Sequence, residues 1–262
     1  MKSKKFLSVF LTLLIMAGVI AAAPVMASAM VHNITDTADL YSVLDYASSG
    51  DTIKLSANIT YTYPIWIDGN SFTFDLNGKT LNAQCGVYVS DGELKLANPA
   101  NGAFNVSGDY DGAAVTSTNG SKVEVTNVSS STDAYAAVSA QNDSEIVVYG
   151  NVAHNGTAYG LGGCGVYFAG AASKITINGT LTVAPAGVKD IEFDGTFKTQ
   201  ADFTTPTTKA GYRTYTDGVS TVWVKIPNNT PPHGIFGTNA RYTQWWCYIL
   251  FFLCFGFIWM WF

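Results

Sequence analysis

Ile65-Trp66-Ile67 then Phe72-Thr73-Phe74, and Val87-Tyr88-Val89 then Leu94-Lys95-Leu96, are the stretches that decide the fold. Each triplet alternates with the two-residue period of a strand, so one face of each is apolar. A short corner of Asn, Asp or Gly separates the members of each pair. The phrase returns as Ala113-Ala114-Val115 with Val123-Glu124-Val125, and as Ala136-Ala137-Val138 with Ile146-Val147-Val148. It returns once more as Val166-Tyr167-Phe168 with Ile175-Thr176-Ile177, and a third short strand follows at Phe104 to Val106 and at Leu181 to Val183. A period of about 22 to 30 residues is the signature of a solenoid. One such unit cannot bury its apolar face alone, whereas stacked units bury a continuous core. Parallel stacking with the usual crossover hand makes the coil right-handed. The expected fold is therefore all-β, a single-stranded right-handed parallel β-helix over residues 30–226.

Both ends of such a stack need covering, because an open rung presents unpaired strand edges. Leu40, Val43, Leu44 and Ala47 share one face of a short helix expected over Asp39–Ala47, placed to cap the first coil. Tyr212–Tyr215 and Val219–Lys225 alternate around Asp217-Gly218, which predicts an antiparallel hairpin with a type I′ turn capping the last coil. Asp91-Gly92, Asn119-Gly120, Asn178-Gly179 and Asp194-Gly195 are expected to supply positive φ at tight corners. Cys85 and Cys164 stand in the same phrase, Cys-Gly-Val-Tyr, three rungs apart. At about 4.8 Å per rung their Cα atoms lie roughly 14 Å apart, beyond the ~7 Å limit of a disulfide. Both are expected to be free, buried and apolar in behaviour.

The flanking segments carry other signals. Lys2, Lys4 and Lys5 precede an apolar run from Phe6 to Ile20, and Ala27-Ser28-Ala29 supplies a small-residue cleavage site. That order predicts a secretory signal peptide over residues 1–29. Residues 227–241 are rich in Pro, Asn and Gly and read as a linker. Residues 242–262 form a hydrophobic tail with no charge from Trp245 to Phe262; as a transmembrane helix those last eighteen residues would span about 27 Å. Tryptophans at both of its ends suit an interfacial belt. The tail is expected to be a membrane anchor or sorting handle, although Arg241 on its outer side opposes the positive-inside tendency. The expected location is the exported, membrane-anchored cell surface. The net charge is −5, and loss of the three leader lysines takes it to −8. An acidic chain whose only arginines are Arg213 and Arg241 offers no phosphate-binding surface, which excludes nucleic acid as a partner.

Asp51-Thr52-Ile53-Lys54-Leu55 and the run Phe72 to Leu81 (Phe-Thr-Phe-Asp-Leu-Asn-Gly-Lys-Thr-Leu) resemble the opening coils of pectate-lyase-like, adhesin-type β-helix proteins of bacterial surfaces. The resemblance covers roughly residues 32–200. It implies architecture more than activity, since that architecture hosts lyases, hydrolases and adhesins alike. A lyase of this kind would hold calcium on clustered aspartates beside a basic residue. Asp109 and Asp111 are the nearest cluster and read as a solvated loop. Arg213 belongs to the terminal hairpin, off the coils. No set of aspartates converges as a glycosidase requires. His154, beside Asn155-Gly156, reads as a turn residue, and His32 and His233 lie in terminal segments. The sequons at Asn58, Asn155 and Asn178 follow from a composition rich in Asn and Thr. No cofactor or metal is implied, and no catalytic residue is assigned.

A surface row remains. The middle residue of each first strand points outward, which gives Trp66, Tyr88, Ala114, Ala137 and Tyr167 up the stack, with large rings at the ends and a shallow middle. Trp66, Tyr88 and Tyr167 are the candidate ligand-binding residues, since ring faces beside a shallow groove suit sugars; the same rings equally serve strand packing. On the adjoining face Lys95 and Glu124 are expected to oppose each other as a surface ion pair. The function expected is a non-catalytic adhesion or binding module for a polysaccharide or a cell-surface protein. The alternatives are a polysaccharide lyase or hydrolase, and a purely structural surface rod.

Overall fold

The computed structural model of the chain describes residues 28–108, 112–130, 135–155, 163–184, 189–202 and 208–227. Residues 1–27, where a signal peptide is expected, and residues 228–262, which hold nearly all of the expected linker and the whole hydrophobic tail, lie outside the described residues, as do Asp109, Asp111 and His233. Among the described residues no helix is long and apolar enough to cross a membrane.

The described body is all-β and solenoid-like, three parallel sheets visited in turn by each coil. A first strand, β1 (Val31–Ile34), leads to the one α-helix of the described residues, α1 (Thr37–Tyr46). The first coil is β2 (Thr52–Leu55), β3 (Ile59–Tyr61) and β4 (Ile65–Asp68); the second is β5 (Ser71–Asp75), β6 (Thr80–Ala83) and β7 (Val87–Ser90). The third comprises β8 (Glu93–Leu96), β9 (Ala103–Ser107) and β10 (Ala113–Thr118); the fourth β11 (Lys122–Val125), β12 (Asn127–Ser130) and β13 (Ala136–Gln141). The fifth has β14 (Glu145–Val148), β15 (Val152–Asn155) and β16 (Cys164–Ala169); the sixth β17 (Lys174–Ile177), β18 (Leu181–Ala184) and β19 (Ile191–Phe193). Then come β20 (Thr196–Lys198), antiparallel to β19, and the hairpin β21 (Tyr212–Thr216) with β22 (Thr221–Lys225).

Sheet A runs β1-β2-β5-β8-β11-β14-β17-β22-β21, sheet B runs β3-β6-β9-β12-β15-β18, and sheet C runs β4-β7-β10-β13-β16-β19-β20. Their registers stack like on like. In sheet A, Phe72, Leu94, Val123, Ile146, Ile175 and Val222 form one inward column. In sheet C the corresponding column is Ile65, Val87, Val115, Val138, Val166 and Ile191. These side chains are almost wholly buried and belong to one core, each contributing about 1.5–3 kcal/mol by leaving water.

Helix α1 starts where Asp36 caps it, its carboxylate accepting the Asp39 N–H at 2.9 Å, and Leu40 and Val43 bury the inner face. It packs on β1 and β3, where an end cap is needed. At the other end the hairpin is present, but its turn differs from the expected one. Thr216 pairs with Thr221, so the loop has four residues, Asp217 to Ser220. Of these only Gly218 has positive φ, and the Asp217 carboxylate accepts the N–H groups of Val219 and Ser220 at 2.8 and 2.7 Å. That side-chain turn replaces a type I′ turn, which needs two positive-φ residues. The corner glycines divide similarly. Asp91, Asn119, Gly120, Asp194 and Gly195 do take positive φ. Gly92 and Gly179 instead lie where a Cβ would strike the backbone of the coil below, at the Asn70 and Gly150 carbonyls. Close approach, rather than φ, makes those two positions glycine.

Cys85 and Cys164 are both free, as the rung count requires. Cys164 is buried, but Cys85 is only half-buried and donates its thiol to the Thr62 carbonyl at 3.1 Å. Its expected full burial fails because it stands in the corner two residues before β7, outside the alternating strand. The Lys95–Glu124 pair also fails to form. The ladder between β8 and β11 extends from Glu93 to Leu94 only, and the Glu124 carboxylate turns to accept the Leu96 N–H at 3.0 Å. Lys95 pairs with Glu93 on its own strand instead.

Candidate functional site

The outer face of sheet C holds the expected aromatic row, with a different middle. Register places Trp66, Tyr88, Thr116, Ser139, Tyr167 and Glu192 in one line. Ala114 and Ala137 are instead core residues with no exposure. The cause lies at the start of β10, β13 and β16, where two consecutive strand residues both turn inward. At the equivalent position, a Cβ on Gly165 would meet the core side chains of Leu181 and Val183 at 2.6 and 2.9 Å. Strict alternation from the first residue thus puts the row two positions early at the two alanine triplets, while Trp66, Tyr88 and Tyr167 do lie on it.

The row is also divided. Trp66 is 51% exposed and its ring lies 4.9 Å from that of Tyr88, tilted by 51°. Just before β4, Tyr63 is 52% exposed and lies 5.5 Å from the Tyr41 ring of α1. Thr116 and Ser139 then interrupt the row, both buried, and the Thr116 hydroxyl takes no hydrogen-bond partner among the described residues. Tyr167 stands four rungs from Trp66, about 19 Å away. Its ring packs edge-on against Tyr135 at 5.0 Å, and both cover Ala113, Ala136 and Cys164. Tyr135 donates its hydroxyl to the buried Glu192 carboxylate at 2.7 Å. Burial, then the Glu192 carboxylate, push the Tyr135 hydroxyl far above the usual phenol range. Burial likewise raises Tyr167 and Cys164, in each case with Glu192 as the next cause. These groups stay neutral and serve packing. Trp66 and Tyr88 are thus brought together, Tyr167 is not, and Tyr63 and Tyr41 join as residues absent from the expected set. The run Tyr61-Thr62-Tyr63 was the available signal, but it precedes a proline corner rather than forming a triplet.

Among the described residues, His32, His154 and Arg213 form no second centre. His154 lies in strand β15, not in a turn, and is fully buried. Its Nδ1 is 2.7 Å from the Ser130 hydroxyl one rung away, because β15 runs one residue beyond the expected corner. His32 belongs to β1, with Nε2 2.8 Å from the Asp51 carboxylate. Asp51 also accepts the Met30 and Ser48 N–H groups at 2.8 and 3.0 Å. Those bonds, His32 first, lower its pKa from 3.8 to about 2. Arg213 is exposed on β21. Among the described residues no three His, Cys, Asp or Glu side chains group as a metal site.

Sheet B carries the second surface feature. Register stacks Thr60, Asn82, Asn105 and Asn127 outward, one per coil, and Asn151 and Thr180, each one residue before its strand, continue the column through hydrogen bonds. Asn105 Nδ2 donates to Asn82 Oδ1 at 3.0 Å, and Asn127 Nδ2 donates to Asn105 Oδ1 at 2.9 Å. Asn127 Oδ1 accepts the Asn151 N–H, and Asn151 Oδ1 accepts the Thr180 N–H. A cleft of about 630 Å³ lies along this ladder, with Ser107 and Ser129 beside it.

Comparison with family models, curated proteins and solved structures returns no match to the chain.

Proposed function

We propose that this chain is a non-catalytic surface-binding module built on a right-handed parallel β-helix of the pectate-lyase-like, adhesin type, and that it engages a polysaccharide through Trp66 and Tyr88. The observation that carries the reading is the half-exposed Trp66 ring tilted against Tyr88, beside the exposed Tyr41–Tyr63 pair. Exposed aromatic rings cost solvation, and a sugar's apolar face relieves that cost by stacking. The three parallel sheets and the crossover rule support the β-helix class and its hand. The leader and the uncharged tail support export and membrane display.

The test is a glycan array probed with the full chain and with Trp66→Ala and Tyr88→Ala. The expected result is selective binding that both substitutions remove while the circular dichroism spectrum is unchanged. Absence of binding across a broad array would replace this reading with a structural rod. Release of unsaturated or reducing-end products from a polygalacturonan would replace it with a lyase or hydrolase.

A further inference from the structure

The carboxamide ladder on sheet B has more hydrogen-bonding capacity than the fold uses. A carboxamide carries two donors and two acceptor lone pairs. Asn105 and Asn127 each spend one Nδ2 donor on the rung below. Their second Nδ2 donors, and both of those on Asn82 and Asn151, have no protein partner among the described residues. Asn127 and Asn151 are exposed. The spare groups recur at the rung spacing of about 4.8 Å, along the cleft of about 630 Å³.

The chemistry of the lining selects the occupant. No charged side chain lines the cleft. A polyanion would find no cation there, on a chain whose net charge is already negative. An apolar ligand would find no ring; Val106 and Val128 contribute to the lining but are themselves buried in the core. Serine hydroxyls and carboxamides both donate and accept, which matches an array of sugar hydroxyls. We infer that the cleft along Asn82, Asn105, Asn127 and Asn151 binds an uncharged, hydroxyl-rich glycan chain. This site is on a different sheet from Trp66 and Tyr88, and it stands or falls apart from the aromatic reading.

The experiment is isothermal titration of the full chain with three neutral hexasaccharides: cellohexaose, xylohexaose and mannohexaose. Ser129→Trp and Ser107→Trp, made separately, each fill the cleft from a neighbouring rung without removing a ladder residue. Trp66→Ala is the control for the other face. At least one hexasaccharide is expected to bind, with affinity falling tenfold or more in whichever tryptophan variants keep the wild-type circular dichroism spectrum, and with no change in Trp66→Ala. The inference is overturned if none of the three binds, if the folded tryptophan variants bind like wild type, or if Trp66→Ala alone abolishes binding.

Discussion

Phe104→Ala tests how tightly the coils are locked together. Phe104 is fully buried in β9, its ring 5.3 Å from Phe74 at 44°. Leu81 lies one rung below it in register. On the other side the Thr126 hydroxyl bridges both backbone groups of Phe104, accepting its N–H at 2.6 Å and donating to its carbonyl at 2.7 Å. The wall around the ring is therefore held by ladder and side-chain bonds and cannot close on a void. Truncating a buried Phe costs about 3–5 kcal/mol, more where collapse is prevented, so the upper part of that range applies. A further ~0.5–1.5 kcal/mol belongs to the Phe74–Phe104 ring pair, and the double-mutant cycle with Phe74→Ala should return it as coupling. The assay is equilibrium urea unfolding followed by circular dichroism. With a slope of about 2–3 kcal/mol/M, the midpoint should fall by roughly 1.5–2 M. A loss below about 1 kcal/mol, or no coupling with Phe74→Ala, would refute the locked-coil reasoning.

Other perturbations probe the caps, the corners and the thiols. Asp51 has a depressed folded-state pKa of about 2, so its stabilisation is present above its unfolded pKa of about 4 and is lost as pH falls through 2; Asp51→Asn should flatten the melting temperature against pH between about pH 4 and 2, and an unchanged slope would contradict the assignment. Gly92→Ala drives a Cβ into the Asn70 carbonyl; it should cost about 2 kcal/mol or more through backbone displacement, read by thermal unfolding, whereas a neutral result would show that the corner yields. Burial holds the Cys164 thiol protonated well above the usual range, while Cys85 is only half-buried; brief iodoacetamide treatment of the native protein followed by peptide mapping should label Cys85 well ahead of Cys164.

The repeat was legible because each Val-x-Val or Ile-x-Ile triplet is buried by its own neighbours a rung away. Alternation along the strand and like-on-like stacking between strands are one pattern read twice. The helix over α1 was legible for the same reason, since Leu40 and Val43 keep helical spacing on an end that must be covered. What escaped reading depends on strand starts, where local geometry breaks the two-residue period. Ala114 and Val115 both turn inward, so the row above Trp66 and Tyr88 continues with Thr116, not Ala114. The asparagines at positions 82, 105, 127 and 151 stand 22 to 24 residues apart and form no local motif. Only the register shows that they fall on one column of one sheet and bond to each other. The Glu124 side chain illustrates a third kind of loss: its partner is a backbone N–H left over when a ladder stops early, and no side-chain pairing rule anticipates that.

The central claim is that the coils stack in parallel with one rung between repeats, and a distance between spin labels tests it most directly. Thr52, Thr73, Lys95, Glu124 and Val147 follow one another up the outer side of sheet A, with Lys95 to Glu124 taken by continuing the Val123–Leu94 register one residue. Four rungs at about 4.8 Å separate the Cα atoms of Thr52 and Val147 by about 19 Å. In a variant carrying cysteine at those two positions and serine at the native cysteines, pulsed electron resonance should give a narrow distribution near that separation, widened only by the label arms. A distribution centred beyond about 35 Å, or one too broad to have a centre, would contradict the stacked parallel fold from which both proposed binding faces follow.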